Sequence, residues 1–370
     1  MDLEEFRLER IQSLYENEVE YNLSDSGVHP YKLGELLSAS ELEYLQGIEL
    51  GYGYTNGTPA LRSAIANLYR DRTEEHVVVT NGSAEANLIL VLSQLSAGDE
   101  IIVVVPNYLQ IWGFAKALGV TVKEVSLSPQ DWSLDVTALA QAVTPNTRMV
   151  TLCNPNNPTG ALLSRAEQDE LIRLCDQQDL ILHVDEIYRG SELDQEEPPS
   201  FADLSPRVFV SAGMSKSLAL PGLRVGWLMG PKADVYSAWS AKDYTSITTS
   251  SMSEYISTLV LEPTRRQQVL DRSKAILREN RTYLTQWIEQ RAWCNYTPPK
   301  AGGMGFIQYD LPVAADPLTD TLRNDHSVLT LSGTVFGLDG YIRLGIGSPN
   351  DHVRAGLDAL EVCVQKYLET

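Results

Sequence analysis

The stretch "SAGMSKSLALPGLRVGW", residues 211–227, places a single lysine among serines, glycines and apolar side chains. Lys216 precedes a hydrophobic run at 225–230 that predicts a strand, so we expect this lysine on a loop at the edge of a sheet. An amine in a dry, tight pocket loses proton affinity and becomes a nucleophile. The alternative is a surface lysine whose aliphatic stem lies along apolar surface. The rest of the sequence has to decide between the two.

The composition is that of an ordinary globular protein, with 43% hydrophobic and 21% charged residues in 370. The formal net charge of −20 argues against nucleic acid and anionic membranes as partners, and it suits a cationic substrate. The four cysteines form no CxxC pair, which argues against structural zinc and a disulfide scaffold. The acidic start "MDLEEFRLERIQ" is not typical of a signal peptide, and no apolar run could span a membrane. We expect a soluble cytoplasmic protein without a metal site.

From about residue 76 onward, apolar strand-like runs alternate with helical segments. The runs are 77–80, 101–105, 120–127, 149–153, 180–184 and 208–210. This rhythm predicts an α/β fold with a mainly parallel sheet, which binds ligands at the carboxyl ends of its strands. We predict a large domain over 46–285 and a small α+β domain built from 1–45 and 286–370. A long helix around 256–290 is expected to join them.

Two loops after predicted strands have unusual composition. "TNGSAEANL" (80–88) places Gly82, Ser83 and Ala84 at the start of a helix, where free backbone N–H groups bind an anion. A plain capped helix is the alternative for this stretch. "CNPNNPTG" (153–160) forms a rigid loop through its prolines and turn residues, and Asn157 could point its amide into a cleft.

Three charged residues are further candidates for the same site. "HVDEIYRG" (183–190) ends a buried strand with Asp185 and puts Tyr188 three residues later. A carboxylate at the end of an apolar strand needs a cationic partner, because an unpaired buried charge is costly. Arg224 follows Lys216 by eight residues, and Arg343 lies in "YIRLGIG" near the end of the sequence.

Taken together, these residues match the functional groups of pyridoxal phosphate. Any one motif would be a weak signal, but their order and spacing are specific. The expected partners are Gly82, Ser83, Ala84 and Arg224 for the phosphate, Tyr108 stacked on the ring, Asp185 for the ring nitrogen, Asn157 and Tyr188 for the phenolic oxygen, and Lys216 for the aldehyde.

Over nearly its full length the sequence resembles the class I/II aminotransferase group of fold-type I pyridoxal phosphate enzymes. The matching stretches are "GYGYTNGTPALR", "NGSAEA", "NPNNPTG", "VDEIYRG", "SK" followed by "GLRVGW", and "YIRLGIG". The resemblance implies the fold-type I transferase fold and a homodimer with shared active sites.

The resemblance also assigns roles to particular residues. Tyr52 would reach into the partner's site as a cofactor contact, and Arg343 would bind the α-carboxylate of an amino-acid substrate through its planar fork. Gly213 departs from the pattern, since many relatives have a phosphate-binding serine or threonine there. The phosphate site is therefore expected to depend more on Ser83, Ser215 and Arg224.

Two further stretches, "NLSDSGVHPYKLGELL" (22–37) and "KDYTSITTSSMSE" (242–254), resemble cyclases of the capreomycidine- and enduracididine-forming type, which act on hydroxylated arginines. The resemblance implies dehydrative cyclisation, with Lys216 moving the Cα proton. His29 is the candidate acid for the departing hydroxyl, and Gly27 and Asp25 are candidate substrate contacts, with Asp25 facing the guanidinium.

These last roles have alternatives. His29 could be a turn histidine that caps a backbone carbonyl, and Asp25 could cap a loop or helix start. An aminotransferase would share every cofactor residue. A DNA-binding regulator built on this fold would carry an additional basic N-terminal segment, which this sequence does not show.

Overall fold

The computed structural model describes residues 3–368. Fourteen α-helices lie within them: α1 (Arg7–Tyr15), α2 (Leu33–Leu36), α3 (Ala39–Gln46), α4 (Pro59–Ala66), α5 (Ser83–Gln94), α6 (Gln110–Ala117), α7 (Val136–Ala142), α8 (Arg165–Gln177), α9 (Phe201–Leu204), α10 (Lys232–Lys242), α11 (Ser251–Val260), α12 (Pro263–Glu289), α13 (Ala315–His326) and α14 (Asn350–Leu368). The strands in the same range are β1 (Tyr21–Asn22), β2 (Val77–Thr80), β3 (Glu100–Val105), β4 (Thr121–Ser126), β5 (Thr147–Cys153), β6 (Ile181–Asp185), β7 (Phe209–Gly213), β8 (Gly226–Met229), β9 (Cys294–Tyr296), β10 (Met304–Tyr309), β11 (Val328–Leu329), β12 (Leu331–Ser332) and β13 (Tyr341–Gly345).

Seven strands form the central sheet, in the order β2-β8-β7-β6-β5-β3-β4. The pairs β3–β4, β3–β5, β5–β6 and β6–β7 are parallel, while β8 runs antiparallel to both of its neighbours. Because β8 runs the other way, its first residue lies at the edge where the parallel strands end. The predicted α/β fold with a mainly parallel sheet is confirmed.

Both faces of this sheet are covered, which explains why its strands read as continuous apolar runs. Alternate residues of β5, β6 and β7 belong to two different cores. Val150, Val184 and Val210 pack in one core, whereas Met149 and Phe209 pack in the other, against α5 and α6. Burial on both faces fixes the strand register and, with it, the positions of the loops that follow.

A second, antiparallel sheet has the order β12-β13-β10-β9, and β1 pairs with β11 beside it. Its apolar core includes Leu277 and Leu284 of α12 and residues of α13 and α14. The N-terminal segment contributes to two cores: Leu8 packs with the central sheet, and Leu23 packs with the second one. The predicted domain boundary at 285 falls inside α12, and the division into two domains stays a prediction.

The long helix expected around 256–290 is α12, but the first part of the expected range belongs to a separate helix, α11. α11 ends at Val260 and α12 begins at Pro263. Proline has no N–H to continue a preceding helix, but its fixed φ suits a first helical position.

Neither a membrane-spanning helix nor a metal-binding group was found in residues 3–368. No helix in that range combines the length and the apolar character that crossing a bilayer requires. No cluster of three or more His, Cys, Asp or Glu side chains there could hold a metal ion.

Candidate active site

Five loops meet at one edge of the central sheet, around a cavity of about 450 Å³. Strands β2, β3, β5, β6 and β7 end at this edge and β8 begins there. The predicted site residues that line the cavity are Asp25, Ser83, Ala84, Tyr108, Asn157, Asp185, Tyr188, Ser215, Lys216, Arg224 and Arg343. A parallel sheet brings its strand ends together, so motifs far apart in the sequence face one space.

Lys216 lies three residues beyond the end of β7 and is paired with Asp25. Its Nζ donates a hydrogen bond to Oδ1 of Asp25 at 2.9 Å, and the backbone N–H of Gly27 donates to the same oxygen. Burial lowers the pKa of Lys216, but the charge and hydrogen bond of Asp25 together with the neighbouring Tyr188 outweigh burial, so the pKa is raised. The expectation of an amine with lowered proton affinity is therefore wrong for the cofactor-free protein.

Asp185 is the last residue of β6, at the bottom of the cavity. Burial raises its pKa to about 6, although the N–H of Ile187 and the amide of Asn87 both donate to the carboxylate. No lysine or arginine among residues 3–368 forms an ion pair with Asp185. A carboxylate in this state gains from a cationic N–H, and a protonated ring nitrogen supplies one.

Arg343 lies on β13 and is only 1% exposed. One guanidinium nitrogen donates to Oδ1 of Asn157 at 2.8 Å, and another donates to the carbonyl of Ser24. Its Nε is buried without a hydrogen-bond partner among residues 3–368. The amide of Asn157 in turn donates to the hydroxyl of Tyr188 at 3.2 Å, and this hydroxyl also contacts Ser26. An immobile arginine of this kind suits a carboxylate.

The start of α5 and Arg224 form a cup for an anion. Gly82 has φ +78°, and a Cβ there would lie 2.5 Å from Nη2 of Arg224. A Cβ on Gly226 would lie 2.4 Å from the backbone N of Ser83. Only glycines allow these segments to approach each other so closely. The result is a set of helix N-terminal N–H groups beside a guanidinium, which fits a phosphate.

Gly213 also has a steric reason to be glycine. A Cβ at this position would lie 2.9 Å from the carbonyl oxygen of Val225 and 3.0 Å from Cα of Gly226. The serine or threonine of many relatives would therefore collide with β8 in this protein. Ser215 lines the cavity two residues later.

Helix α1 forms a wall of the cavity that the predicted site did not include. Leu8, Glu9, Gln12, Ser13 and Glu16 all line it. The hydroxyl of Tyr108 donates to Oε1 of Glu9 at 2.6 Å, and Gln12 donates to the carbonyl of Ser24. The acidic, amphipathic pattern of 1–12 is the signal that could have identified this wall, since it shows an apolar face that must pack on something.

Four predicted site residues lie outside the cavity lining, and one of them, Gly82, immediately precedes the lining residue Ser83. Gly27 is adjacent, because a Cβ built on it would lie 3.5 Å from Cδ of Lys216. Tyr52 is 88% exposed on the surface. His29 is exposed as well, and the hydrogen bonds found for it are those of its backbone, with Gly347 and Arg272. His29 does not line the cavity, so its role as the acid stays a prediction. The hydrogen bonds found for it do not involve the imidazole, so the carbonyl-capping alternative stays a prediction as well.

Comparison with known proteins fits this geometry. Residues 26–360 match the family model described as aminotransferase class I and II. The chain belongs to this family. It is 28% identical to capreomycidine synthase of Streptomyces vinaceus, over 92% of this sequence and 88% of that protein. It is 29% identical to the arginine–pyruvate transaminase AruH of Pseudomonas aeruginosa, over 86% and 83% of the two sequences.

Solved structures of the family have the same fold. A pyridoxal phosphate-dependent aminotransferase from Streptococcus suis superimposes with a TM-score of 0.94 at 28% identity, covering 99% of both proteins. The pyridoxal phosphate-dependent cyclase OrfR superimposes with a TM-score of 0.90 at 25% identity, covering 99% of this protein and 98% of that one. The fold-type I prediction is confirmed.

The cofactor is pyridoxal 5′-phosphate, as predicted. The cavity fits each part of this group: an anion cup between the start of α5 and Arg224, an amine at Lys216, and an unpaired buried carboxylate at Asp185. The protein is thus a pyridoxal phosphate-dependent enzyme of the class I and II aminotransferase family.

Proposed function

We propose that this enzyme catalyses the dehydrative cyclisation of a hydroxylated arginine to a cyclic-guanidine amino acid. The observation that carries the proposal is the charge distribution of the cavity. Arg343 lines it, and so do the carboxylates of Glu9, Glu16 and Asp25, in addition to that of Asp185. An amino acid with a guanidinium side chain complements both signs, its carboxylate at the arginine and its cation at the acidic residues.

The three carboxylates repel each other in the absence of a cation. The pKa of Glu16 is raised by burial and then by the charges of Asp25 and Glu9, while Lys216 opposes the shift. Once Lys216 is bound to the cofactor, the carboxylate of Asp25 loses its lysine partner. A guanidinium group is a cation that can replace it and pair with Glu16 as well.

The roles of the protein's own residues follow from their positions. Arg343, held by Asn157, binds the substrate carboxylate, and Asp185 holds the proton on the ring nitrogen. Pyridoxal phosphate supplies an electron sink that stabilises a carbanion at the substrate Cα. Lys216, the amine that would hold the cofactor, would also take the proton from the substrate Cα and return one at the end of the cycle.

The net reaction releases one water. The C–O bond of the substrate's hydroxyl breaks, and the leaving hydroxyl takes up a proton. A guanidine nitrogen of the substrate then forms the new C–N bond and loses its own proton to Lys216, which returns that proton to Cα. In this proposal the ammonium of Lys216, formed when it takes the Cα proton, is the acid for the hydroxyl in place of His29.

Similarity supports this choice of reaction. Capreomycidine synthase matches nearly the whole sequence, and OrfR is a cyclase that depends on the same cofactor. The match to AruH supports a second candidate, transfer of the amino group of an arginine to a keto acid. Both candidates place a guanidinium against the same carboxylates. They differ in whether a keto acid is consumed.

Product analysis separates the two candidates. Purified enzyme is incubated with arginine, 3-hydroxyarginine or 4-hydroxyarginine, each with and without pyruvate, and products are identified by mass. The proposal predicts a product lighter than a hydroxyarginine by one water, independent of pyruvate. A 2-keto acid product that forms only with pyruvate would establish the transaminase. No reaction with any of the three would contradict the guanidinium assignment.

We also propose that the enzyme is a homodimer in which Tyr52 contributes to the partner's site. Large apolar side chains are exposed in two neighbouring segments: Leu50, Tyr52 and Tyr54 in one, Tyr244 and Met252 in the other. The segments are joined by a hydrogen bond from Thr248 to the carbonyl of Tyr54. A second copy would cover this surface. The cytoplasmic location stays a prediction.

A further inference from the structure

A line of buried polar side chains runs through the central sheet behind Asp185. His183 is completely buried on β6, two residues before Asp185 and on the same face. One of its ring nitrogens lies 2.8 Å from the hydroxyl of Thr151 on β5, and the other lies 3.0 Å from the hydroxyl of Ser211 on β7. Ser211 is the strand neighbour of Asp185 on the same face of the sheet, so its hydroxyl can donate to this carboxylate and lower its pKa.

Buried polar side chains are unusual on this face of the central sheet. The same face of β5, β6 and β7 otherwise contributes Met149, Ile181 and Phe209 to an apolar core. Polar groups buried there are costly unless each is hydrogen bonded, and an alanine, valine or leucine would avoid the cost. The residue roles described above make no use of His183. An effect of His183 on Asp185, carried through Ser211, accounts for a polar residue at this position.

The hydrogen bonds can point only one way when Asp185 is ionised. A carboxylate only accepts, so the hydroxyl of Ser211 donates its proton to Asp185. The oxygen of Ser211 must then accept from Nε2–H of His183. With its proton on Nε2, His183 accepts at Nδ1 from the hydroxyl of Thr151. Every donor in the line Thr151–His183–Ser211 therefore points toward the carboxylate.

We propose that His183 is a positioning residue that holds the Ser211 hydroxyl as a donor to Asp185 and thereby keeps this carboxylate ionised against the cofactor's ring nitrogen. The inference rests on the proposed role of Asp185 and holds for a cyclase and a transaminase alike. Burial keeps His183 neutral, since it lowers the pKa of the imidazole to about 3. A neutral ring of fixed tautomer can orient a hydroxyl without adding a charge to the core.

The other titratable groups near Asp185 do not change the protonation of the ring nitrogen in the way proposed for His183. The thiol of Cys153, its neighbour on β5, and the phenol of Tyr108 both have pKa values raised by burial, so each keeps its proton. Tyr188 is protonated for the same reason, because burial raises its pKa as well. Lys216 is engaged by Asp25 in the free protein. The protonation of the ring nitrogen therefore reports on Asp185 and on the groups that donate to it.

The test uses the holoenzyme loaded with cofactor labelled with nitrogen-15 in its ring. NMR follows the ring-nitrogen shift with pH and gives the midpoint at which this nitrogen loses its proton. We expect H183F to lower the midpoint by about one pH unit, a tenfold change in proton affinity, because a donor to the carboxylate is no longer held. S211A should lower it similarly, and the double variant H183F/S211A no further, since both act through one hydrogen bond.

Two further variants make the result decisive. H183Q offers an amide N–H in place of Nε2–H, and it should restore most of the wild-type midpoint. V184A removes buried volume from the same strand on the opposite face, and it should leave the midpoint unchanged despite lower stability. If D185N leaves the midpoint unchanged, the assignment of Asp185 itself is wrong. If D185N lowers it but H183F and S211A do not, the role of His183 is overturned.

Discussion

Asp25 and Lys216 are 191 positions apart in the sequence, yet Oδ1 of Asp25 accepts a hydrogen bond of 2.9 Å from Nζ of Lys216. The carboxylate therefore lies at the nitrogen that we expect to bind the cofactor. Before the cofactor binds, Asp25 keeps the amine of Lys216 protonated. Once Lys216 holds the cofactor, the carboxylate of Asp25 has no lysine charge beside it. We therefore expect Asp25 to affect both the rate of cofactor binding and the preference for a cationic substrate.

Replacing Asp25 should accelerate cofactor binding. In Asp25→Asn the pKa of Lys216 falls, because burial still lowers it and the carboxylate that opposes burial is gone. A fall of one pKa unit makes the reactive unprotonated amine about tenfold more abundant. Stopped-flow absorbance of the cofactor-free protein mixed with pyridoxal phosphate should show a rate increase of this order. Glu18→Gln removes an equal charge outside the cavity and should not change the rate; equal rates in the two variants would disprove the coupling.

The pair also predicts how the stability of the cofactor-free protein depends on pH. Asp25 has its pKa lowered to about 2, by the charge of Lys216 first of all, from an unfolded value of 3.8. Its contribution to stability is therefore complete above the unfolded pKa and is lost as the pH falls through the folded one. The half-exposed carboxylate makes this contribution modest. Urea unfolding at pH 6 and pH 3 should show that Asp25→Asn loses less stability on acidification than wild type does.

Glu16 is predicted to discriminate a guanidinium from an uncharged group of the same shape. Citrulline carries a urea in place of the guanidinium, so the ratio of kcat/KM for arginine-type and citrulline-type substrates measures the charge contact. Glu16→Gln should reduce this ratio by about tenfold or more, the usual effect of one charge-assisted hydrogen bond. Glu18→Gln serves again as the control. A ratio unchanged by Glu16→Gln would place the substrate cation elsewhere.

The sequence predicted the parts of this site that local patterns specify. The strands, the loop that follows each of them, and Gly82 with its positive φ at the start of α5 are predictable because burial and backbone geometry act within a few residues. The break at Pro263 is local as well, and the single predicted helix did not take it into account. The close approach that requires glycine at 226 involves a distant segment and is not local. The amphipathic pattern of 1–12 shows that α1 packs on something, but the sequence does not show where it packs, and it does not show the pairing of Asp25 with Lys216. Both depend on how the N-terminal segment packs on a distant sheet edge, and no local pattern specifies that contact.

Tyr52 is predicted to act in the site of a second subunit. Tyr52→Ala and Lys216→Ala should each have very low activity alone. Mixing them should restore about a quarter of wild-type activity, because half of the dimers are hybrids with one intact site of two. A mixture of Asp185→Ala and Lys216→Ala is the control, since both residues belong to one subunit's site. Failure of the first mixture, with subunit exchange shown by mass, would exclude a shared site.

The central claim is that the enzyme removes water and closes a ring without an amino acceptor. The most direct measurement is a multiple-turnover reaction with hydroxyarginine in large excess over enzyme and with no keto acid present. The account predicts continued formation of a product lighter by one water, well beyond one equivalent per active site. A reaction that stops at one equivalent, yields a 2-keto acid and resumes only when pyruvate is added would contradict it.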